Sequence, residues 1–297
     1  MLDKLEFLLA LAREQHFGRA AESCGVTQPT LSAGLKQLEE SLGVLLVNRG
    51  SRFQGITPEG QRVLDWARRI VGDTRAMRQE VNALRLGLTG RLRIAAIPTA
   101  LAAVASLTTP YRAKHPNVQF TILSRTSAQI LSLLENLEID AGLTYLDNEP
   151  LGRVNTVPLY KESYRLLTAA DAPLGDRAQV TWAEVAQVPL CLLTPDTQTR
   201  RIIDRLLNSA NGESGPTLES DSMILLYAQV RTGRWASVMP TKIAETLGPT
   251  DTIRAIPIVK PDAVYNIGLV VPAREPMTPL NAALVAEARL IAAIPGG

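Results

Sequence analysis

Val26-Thr27-Gln28-Pro29-Thr30-Leu31-Ser32 has the composition of a helix start. Thr27 offers a side-chain oxygen to the free N–H groups of a first turn, and Pro29 falls in that turn, where its missing N–H costs nothing. Leu31, Leu35, Leu38 and Leu42 then recur in steps of four and three, which predicts one inward stripe. Gln28, Ser32 and Lys36 share the opposite face at four-residue intervals. A short helix with such a face suits the DNA major groove, where amides and hydroxyls hydrogen-bond to base edges. Polar side chains on a helix surface more often meet only water, so the neighbouring segments have to decide.

Upstream, Leu5, Leu8, Leu9 and Ala12 predict an amphipathic helix over residues 3–14. Phe17 closes a turn, a second short helix over 19–23 offers the small residues Ala20 and Ala21, and Gly25 ends it. Downstream, Gly43 leads to the basic run Asn48-Arg49-Gly50-Ser51-Arg52-Phe53-Gln54-Gly55, which reads as a two-stranded wing. Arg49 and Arg52 would meet phosphates, contacts that position a protein on DNA without reading sequence. Gly34 inside the third helix should cost about 1 kcal/mol relative to Ala, and only a closely packed backbone would account for it.

Phe17-Gly18-Arg19-Ala20-Ala21-Glu22, Thr27-Gln28-Pro29-Thr30-Leu31-Ser32, Leu38-Glu39, Leu42-Gly43-Val44, Asn48-Arg49, Arg52 and Ile56-Thr57-Pro58-Glu59-Gly60 stand in an order that resembles the LysR-type regulator signature. Position by position, the resemblance implies base or groove contacts from Gln28, Pro29, Thr30 and Ser32, and wing contacts from Arg49 and Arg52. The chain departs from the pattern at Ala33, where many members carry Arg, and at Val47, where Phe is usual.

The chain has 297 residues, which favours two or more folding units, and 46% hydrophobic with 20% charged residues describes a folded chain rather than a disordered one. Residues 1–90 hold 12 of the 31 Lys+Arg and 10 of the 29 Asp+Glu, leaving 19 of each beyond, so the net +2 lies wholly in the N-terminal third. An excess this small does not by itself identify a nucleic-acid binder. No apolar stretch reaches membrane-spanning length and the start lacks a secretory core, so a cytoplasmic location and no membrane partner are expected. Cys24 and Cys191 have no metal-ligand spacing and read as buried thiols without an assigned role.

From Pro58 a helix of nearly 30 residues, about 45 Å long, is predicted. Val63, Ala67, Ile70, Thr74, Met77, Val81, Leu84 and Leu88 alternate steps of four and three, the spacing of a coiled-coil seam. Val63, Ala67, Ile70, Met77, Val81 and Leu84 would pair two copies of the chain, and the paired heads would read a two-fold related site on double-stranded DNA. The competing use of the stripe is packing against the chain's own C-terminal region.

Beyond Gly90 strands alternate with helices, at 92–97, 118–123 and 141–145, near 165–168, 190–193 and 237–239, and at 267–271. This predicts a mostly parallel sheet with helices on both faces. Ligands bind such folds beyond the carboxyl ends of strands, where Pro98, Thr99, Thr126, Ser127, Thr194, Pro195, Thr197, Asp221 and Ser222 fall. Hydroxyls and backbone donors there suit a small anion such as a carboxylate, although each Ser or Thr taken singly is explained by capping.

The family resemblance supplies an architecture: an N-terminal winged helix-turn-helix (1–58), a linker or dimerisation helix (59–90), and an α/β two-lobed effector domain (91–297) like a periplasmic binding protein. It places lobe I at 91–160 and 265–297 and lobe II at 161–264, with Thr99, Ser127, Thr194 and Thr197 lining a pocket between them. Leu137 and Trp235 stand where relatives often carry Gly, so a turn and one pocket wall should differ. The run Gly50–Gly55 and the texture of the second domain resemble, less closely, regulators of formate dehydrogenase operons.

An enzyme is disfavoured. Only His16 and His115 are present, and no nucleophile elbow, phosphate loop or paired metal ligands stand out, so no cofactor is expected. A secreted solute-binding protein would lack the N-terminal helices. The expected partners are double-stranded DNA, a small-molecule effector, and further copies of the chain in a homodimer or homotetramer.

Overall fold

A computed structural model describes residues 1–49, 53–147, 149–210, 215–248 and 252–293. They divide into two compact units, one built on Met1–Gly87 and the other mainly on the chain from Leu88 onward.

The first unit opens with α1 (Leu2–Glu14), α2 (Phe17–Ser23) and α3 (Gln28–Leu42). Leu5, Leu8 and Leu11 of α1, Ala20 and Ala21 of α2, and Leu31, Leu35 and Leu38 of α3 close one apolar core. Leu42 does not join them: it is exposed, one turn too far along the helix. Phe17 lies inside α2 rather than in the preceding turn, because His16 caps that helix, its Nδ1 accepting from Gly18 N (3.1 Å) and Arg19 N (3.3 Å).

A ring, not a backbone, accounts for Gly34. A Cβ there would stand 2.8 Å from Cδ2 of Phe7 on α1, so the bare helix surface seats that ring. The strands β1 (Val47–Arg49) and β2 (Phe53–Ile56) pair antiparallel, with Val47 buried. Glu39, buried in α3, holds their approach through Oε1, which accepts from Leu46 N (2.9 Å) and Val47 N (3.3 Å).

The linker α4 (Pro58–Leu86) runs for 29 residues from a Thr57 cap. Thr57 Oγ1 accepts from Gly60 N (2.9 Å) and donates to Leu45 O (2.7 Å). A Cβ on Gly60 would lie 2.1 Å from Leu46 O, so only glycine fits this first turn.

In the second unit, β3 (Gly90–Ala96), α5 (Leu101–Lys114), β4 (Val118–Ser124), α6 (Ser127–Glu135) and β5 (Ala141–Tyr145) alternate as the sequence predicts. Next come β6 (Val154–Glu162), β7 (Tyr164–Ala169), β8 (Val180–Thr181), α7 (Trp182–Val185), β9 (Cys191–Leu193), α8 (Gln198–Ser209), β10 (Leu218–Ser220) and α9 (Met223–Val230). The last elements are β11 (Ser237–Pro240), α10 (Thr241–Leu247), β12 (Ile253–Val259), β13 (Tyr265–Pro272) and α11 (Pro279–Ala292).

One sheet has the order β4-β3-β5-β13-β6, another β11-β7-β12-β8, and β9 pairs with β10. The expectation of a mostly parallel sheet holds for β4-β3-β5 and for the pairs β9-β10 and β8-β12. β13 runs antiparallel to β5 and β6, and β7 antiparallel to β11 and β12. The chain leaves the first sheet at the end of β6 and returns to it at the start of β13, so these crossover strands meet head to tail.

At the crossover Trp182 is fully buried, donates its indole N–H to Pro261 O (3.1 Å) and stands edge-on to Tyr164. Leu137 adopts φ 60°, a left-handed conformation that glycine takes without strain. Trp235 instead packs, half-buried, against the core around Leu193 and Val230.

Candidate DNA-reading helix and effector cavity

Thr27 caps α3 as its position predicts, Oγ1 accepting from Thr30 N (3.4 Å) and sharing a hydrogen bond with Thr30 Oγ1 (2.9 Å). With the leucines turned inward, Gln28, Pro29, Thr30, Ala33, Lys36 and Gln37 are exposed, and Ser32 is half-buried. Lys36 has Glu40 one turn on, at 3.8 Å, a separation worth little on an open surface. Arg52 lies outside the described residues. Of Arg49 the structure gives the backbone, paired with Phe53.

The seam of α4 divides. Ala67 has no exposure and belongs to the first unit's own core with Leu64 and Val71, so it is not free to meet another copy. Val63 packs half-buried against that core. Ile70, Met77, Val81 and Leu84 remain exposed, Leu84 at 84%, and Trp66 joins them at 62%. Trp66 sits one position from Ala67, which is why a strict stripe passes over it.

In the second unit a cavity of about 530 Å³ opens between two walls. Pro98, Leu101, Ser124, Arg125, Thr126 and Gln129, from the ends of β3 and β4 and the helices after them, form one. Thr194, Asp196, Thr197, Asp221, Ser222, Met223 and Ile224, from the ends of β9 and β10 and the starts of α8 and α9, form the other. The expected residues Pro98, Thr126, Thr194, Thr197 and Ser222 are thus brought together.

Three expected residues stand elsewhere. Thr99 is buried, with its Oγ1 unpartnered. Ser127 Oγ turns inward to accept from Thr144 Oγ1 (2.9 Å), and Pro195 is exposed beside the cavity without lining it. The missed residues are Leu101, Ser124, Arg125, Gln129, Asp196, Met223 and Ile224, along with Asp221 as a side chain. Each adjoins a strand end or helix start that the sequence marks, so the neighbours of those hydroxyls were the signal.

Capping does engage most of the hydroxyls. Thr126 and Gln129 cap α6 reciprocally, Gln129 N donating to Thr126 Oγ1 (3.3 Å) and Thr126 N to Gln129 Oε1 (3.0 Å). Thr197 Oγ1 accepts from Arg200 N (3.3 Å), and Ser222 Oγ from Leu225 N (3.3 Å). Thr194 Oγ1 differs: it is shielded from water and unpartnered. Three helix starts therefore face this space, and such termini attract negative charge.

Cys191, in β9, is buried, its thiol donating to Leu226 O, and burial pushes its pKa up to about 11. Burial also raises Cys24. No helix among the described residues is long and apolar enough to cross a membrane, and no group of side chains there suits a metal ion.

Residues 2–61 match the model of the bacterial regulatory helix-turn-helix protein, lysR family, and residues 85–290 that of the LysR substrate binding domain. The DNA-binding transcriptional dual regulator OxyR of Escherichia coli is 28% identical over 275 residues, 90% of this chain and 87% of that one. The uncharacterised regulator YnfL of the same organism is 30% identical over 285 residues, 94% of each chain. A full-length OxyR variant from Pseudomonas aeruginosa has the same fold with a TM-score of 0.75 at 26% identity, covering 99% and 98% of the two chains. CbnR in complex with its target DNA matches with a TM-score of 0.62 at 20% identity, covering 98% and 99%, a likeness of fold alone. Both halves of the molecule therefore lead to one assignment: the chain belongs to the LysR family, as a DNA-binding transcription regulator with a small-molecule effector domain and not an enzyme.

Proposed function

We propose that the protein reads a two-fold related promoter site through α3 and the wing, pairs through α4, and alters its grip when a small anion occupies the cavity. Gln28, Pro29, Thr30, Ser32 and Lys36 carry the groove contacts in this reading, with Arg49 and Arg52 on phosphates. Ile70, Met77, Val81 and Leu84, with Trp66, form the pairing face, since an apolar stripe on a long helix needs cover. The assembly is a homodimer or a homotetramer of two such pairs, and it works in the cytoplasm, where its DNA is.

The observation that carries the effector reading is the cavity itself: three helix starts and Arg125 meet in one space between two walls. A ligand touching both walls favours the arrangement that brings them closer. A tenfold preference for that arrangement shifts its population by about 1.4 kcal/mol. Peroxide, named for several relatives, fits poorly, because the thiolate is the reactive form and Cys191 is both buried and held protonated.

A small carboxylate is the first class to test. The weaker resemblance to formate dehydrogenase regulators makes formate the first member. Footprints on the upstream region, with and without the carboxylate, should differ in extent and affinity. Identical footprints at identical affinity would overturn the proposal.

A further inference from the structure

The two cavity walls differ in charge. On the first, the start of α6 stands beside Arg125, so positive charge is added to a positive helix end. On the second, Asp196 immediately precedes the Thr197 cap of α8, and Asp221 immediately precedes the Ser222 cap of α9. Each acid there offsets the helix end beside it.

None of the three charges is paired among the described residues. Arg125 donates only to Ser124 O (2.7 Å), and the side chains of Asp196 and Asp221 make no ion pair. Elsewhere in the same unit charges find partners: Arg93 with Asp140, Lys114 with Glu287, Arg200 with Asp204 and Glu219, Arg201 with Glu149. The cavity thus presents a free cation on one wall and two free carboxylates on the other, with the apolar Leu101 on the first wall and Met223 and Ile224 on the second.

We propose that the effector is a small zwitterion with an apolar body, of the α-amino acid class. Its carboxylate faces Arg125 and the start of α6, and its ammonium faces Asp196 and Asp221. This rests on the effector reading above and sharpens it. A simple anion satisfies one wall and is repelled by the other, whereas a zwitterion bridges both and so gains most when the walls approach.

The test is calorimetric titration of the full-length protein with L-leucine and L-phenylalanine, their deamino acids isocaproate and hydrocinnamate, and their decarboxylated amines isoamylamine and phenethylamine. At least one amino acid should bind ten or more times tighter than both of its analogues. Asp196→Asn with Asp221→Asn should lower its affinity to that of the matched acid, and leave the acid as tight or tighter. Both aspartates are exposed, and an unchanged melting temperature would show that the variant folds. If the acids bind the native protein as tightly as the amino acids do, or the Asn variant keeps the native preference for the amino acid, the zwitterion is refuted while anion sensing stands. If neither acids nor amino acids bind, both readings fall.

Discussion

Tyr145 donates its hydroxyl proton to Oε1 of Glu162 and leaves Oε2 of that carboxyl buried without a partner. The same hydroxyl meets Tyr164 (3.1 Å) and Thr199 (3.0 Å), so one oxygen joins the end of β5, the crossover strands and the first turn of α8. Desolvation dominates over the hydrogen bond, and the Glu162 carboxyl is pushed up to about 8.

A carboxyl raised on folding holds its proton in the native state when the unfolded chain has released it. Stability from this group is full below the ordinary value of 4.5 and falls as pH climbs towards about 8. Melting temperature recorded across that window at fixed ionic strength should decline with rising pH. Glu162→Gln should flatten the decline, and an unaltered slope would remove Glu162 from the account.

Phe7 and Gly34 should prove coupled. In the native protein, Gly34→Ala gains helix propensity but drives a methyl into the Phe7 ring, so little net stabilisation is expected. In a Phe7→Leu background the same change should yield up to about 1 kcal/mol. Denaturant unfolding of the four proteins measures the coupling, and simple additivity would contradict the contact.

Two substitutions on α3 separate reading from attraction. Gln28→Ala should cost roughly 1–3 kcal/mol on the cognate site and far less on unrelated DNA. Lys36→Ala should weaken both alike and reduce the slope of log affinity against log salt by about 1. Equal losses for Gln28→Ala on the two DNAs would exclude base contact.

Replacing Met77 and Leu84 by Asp should weaken self-association at least tenfold, as sedimentation would report, while Arg78→Asp, away from the stripe, should not. An assembly indifferent to both changes would move the pairing face elsewhere.

The first unit was largely legible because its determinants are local: a Thr cap, a Pro in the first turn, leucines in step. What the sequence concealed there is tertiary, such as the Phe7 ring over Gly34 and the carboxylate of Glu39 holding the wing's approach. Ala67 fits a seam by spacing and was claimed by the core, because a stripe does not say which neighbour covers it. In the second unit strand ends and caps pointed to the cavity through Thr126, Thr197 and Ser222. Asp196 and Arg125 stayed hidden, and Asp221 stood out only by its place at a strand end, since an exposed charge carries no periodic signal. β6 and β12 passed unread, because their burial is irregular rather than alternating.

The indole of Trp182, fastened to the Pro261 carbonyl where the chain passes back to the first sheet, has an optical consequence. Its emission depends on that bond and on the neighbouring Tyr164 ring, so it reports how tightly the second sheet's own surroundings are packed. The molecule therefore carries an unlabelled gauge of that packing, readable in a cuvette before any promoter is known.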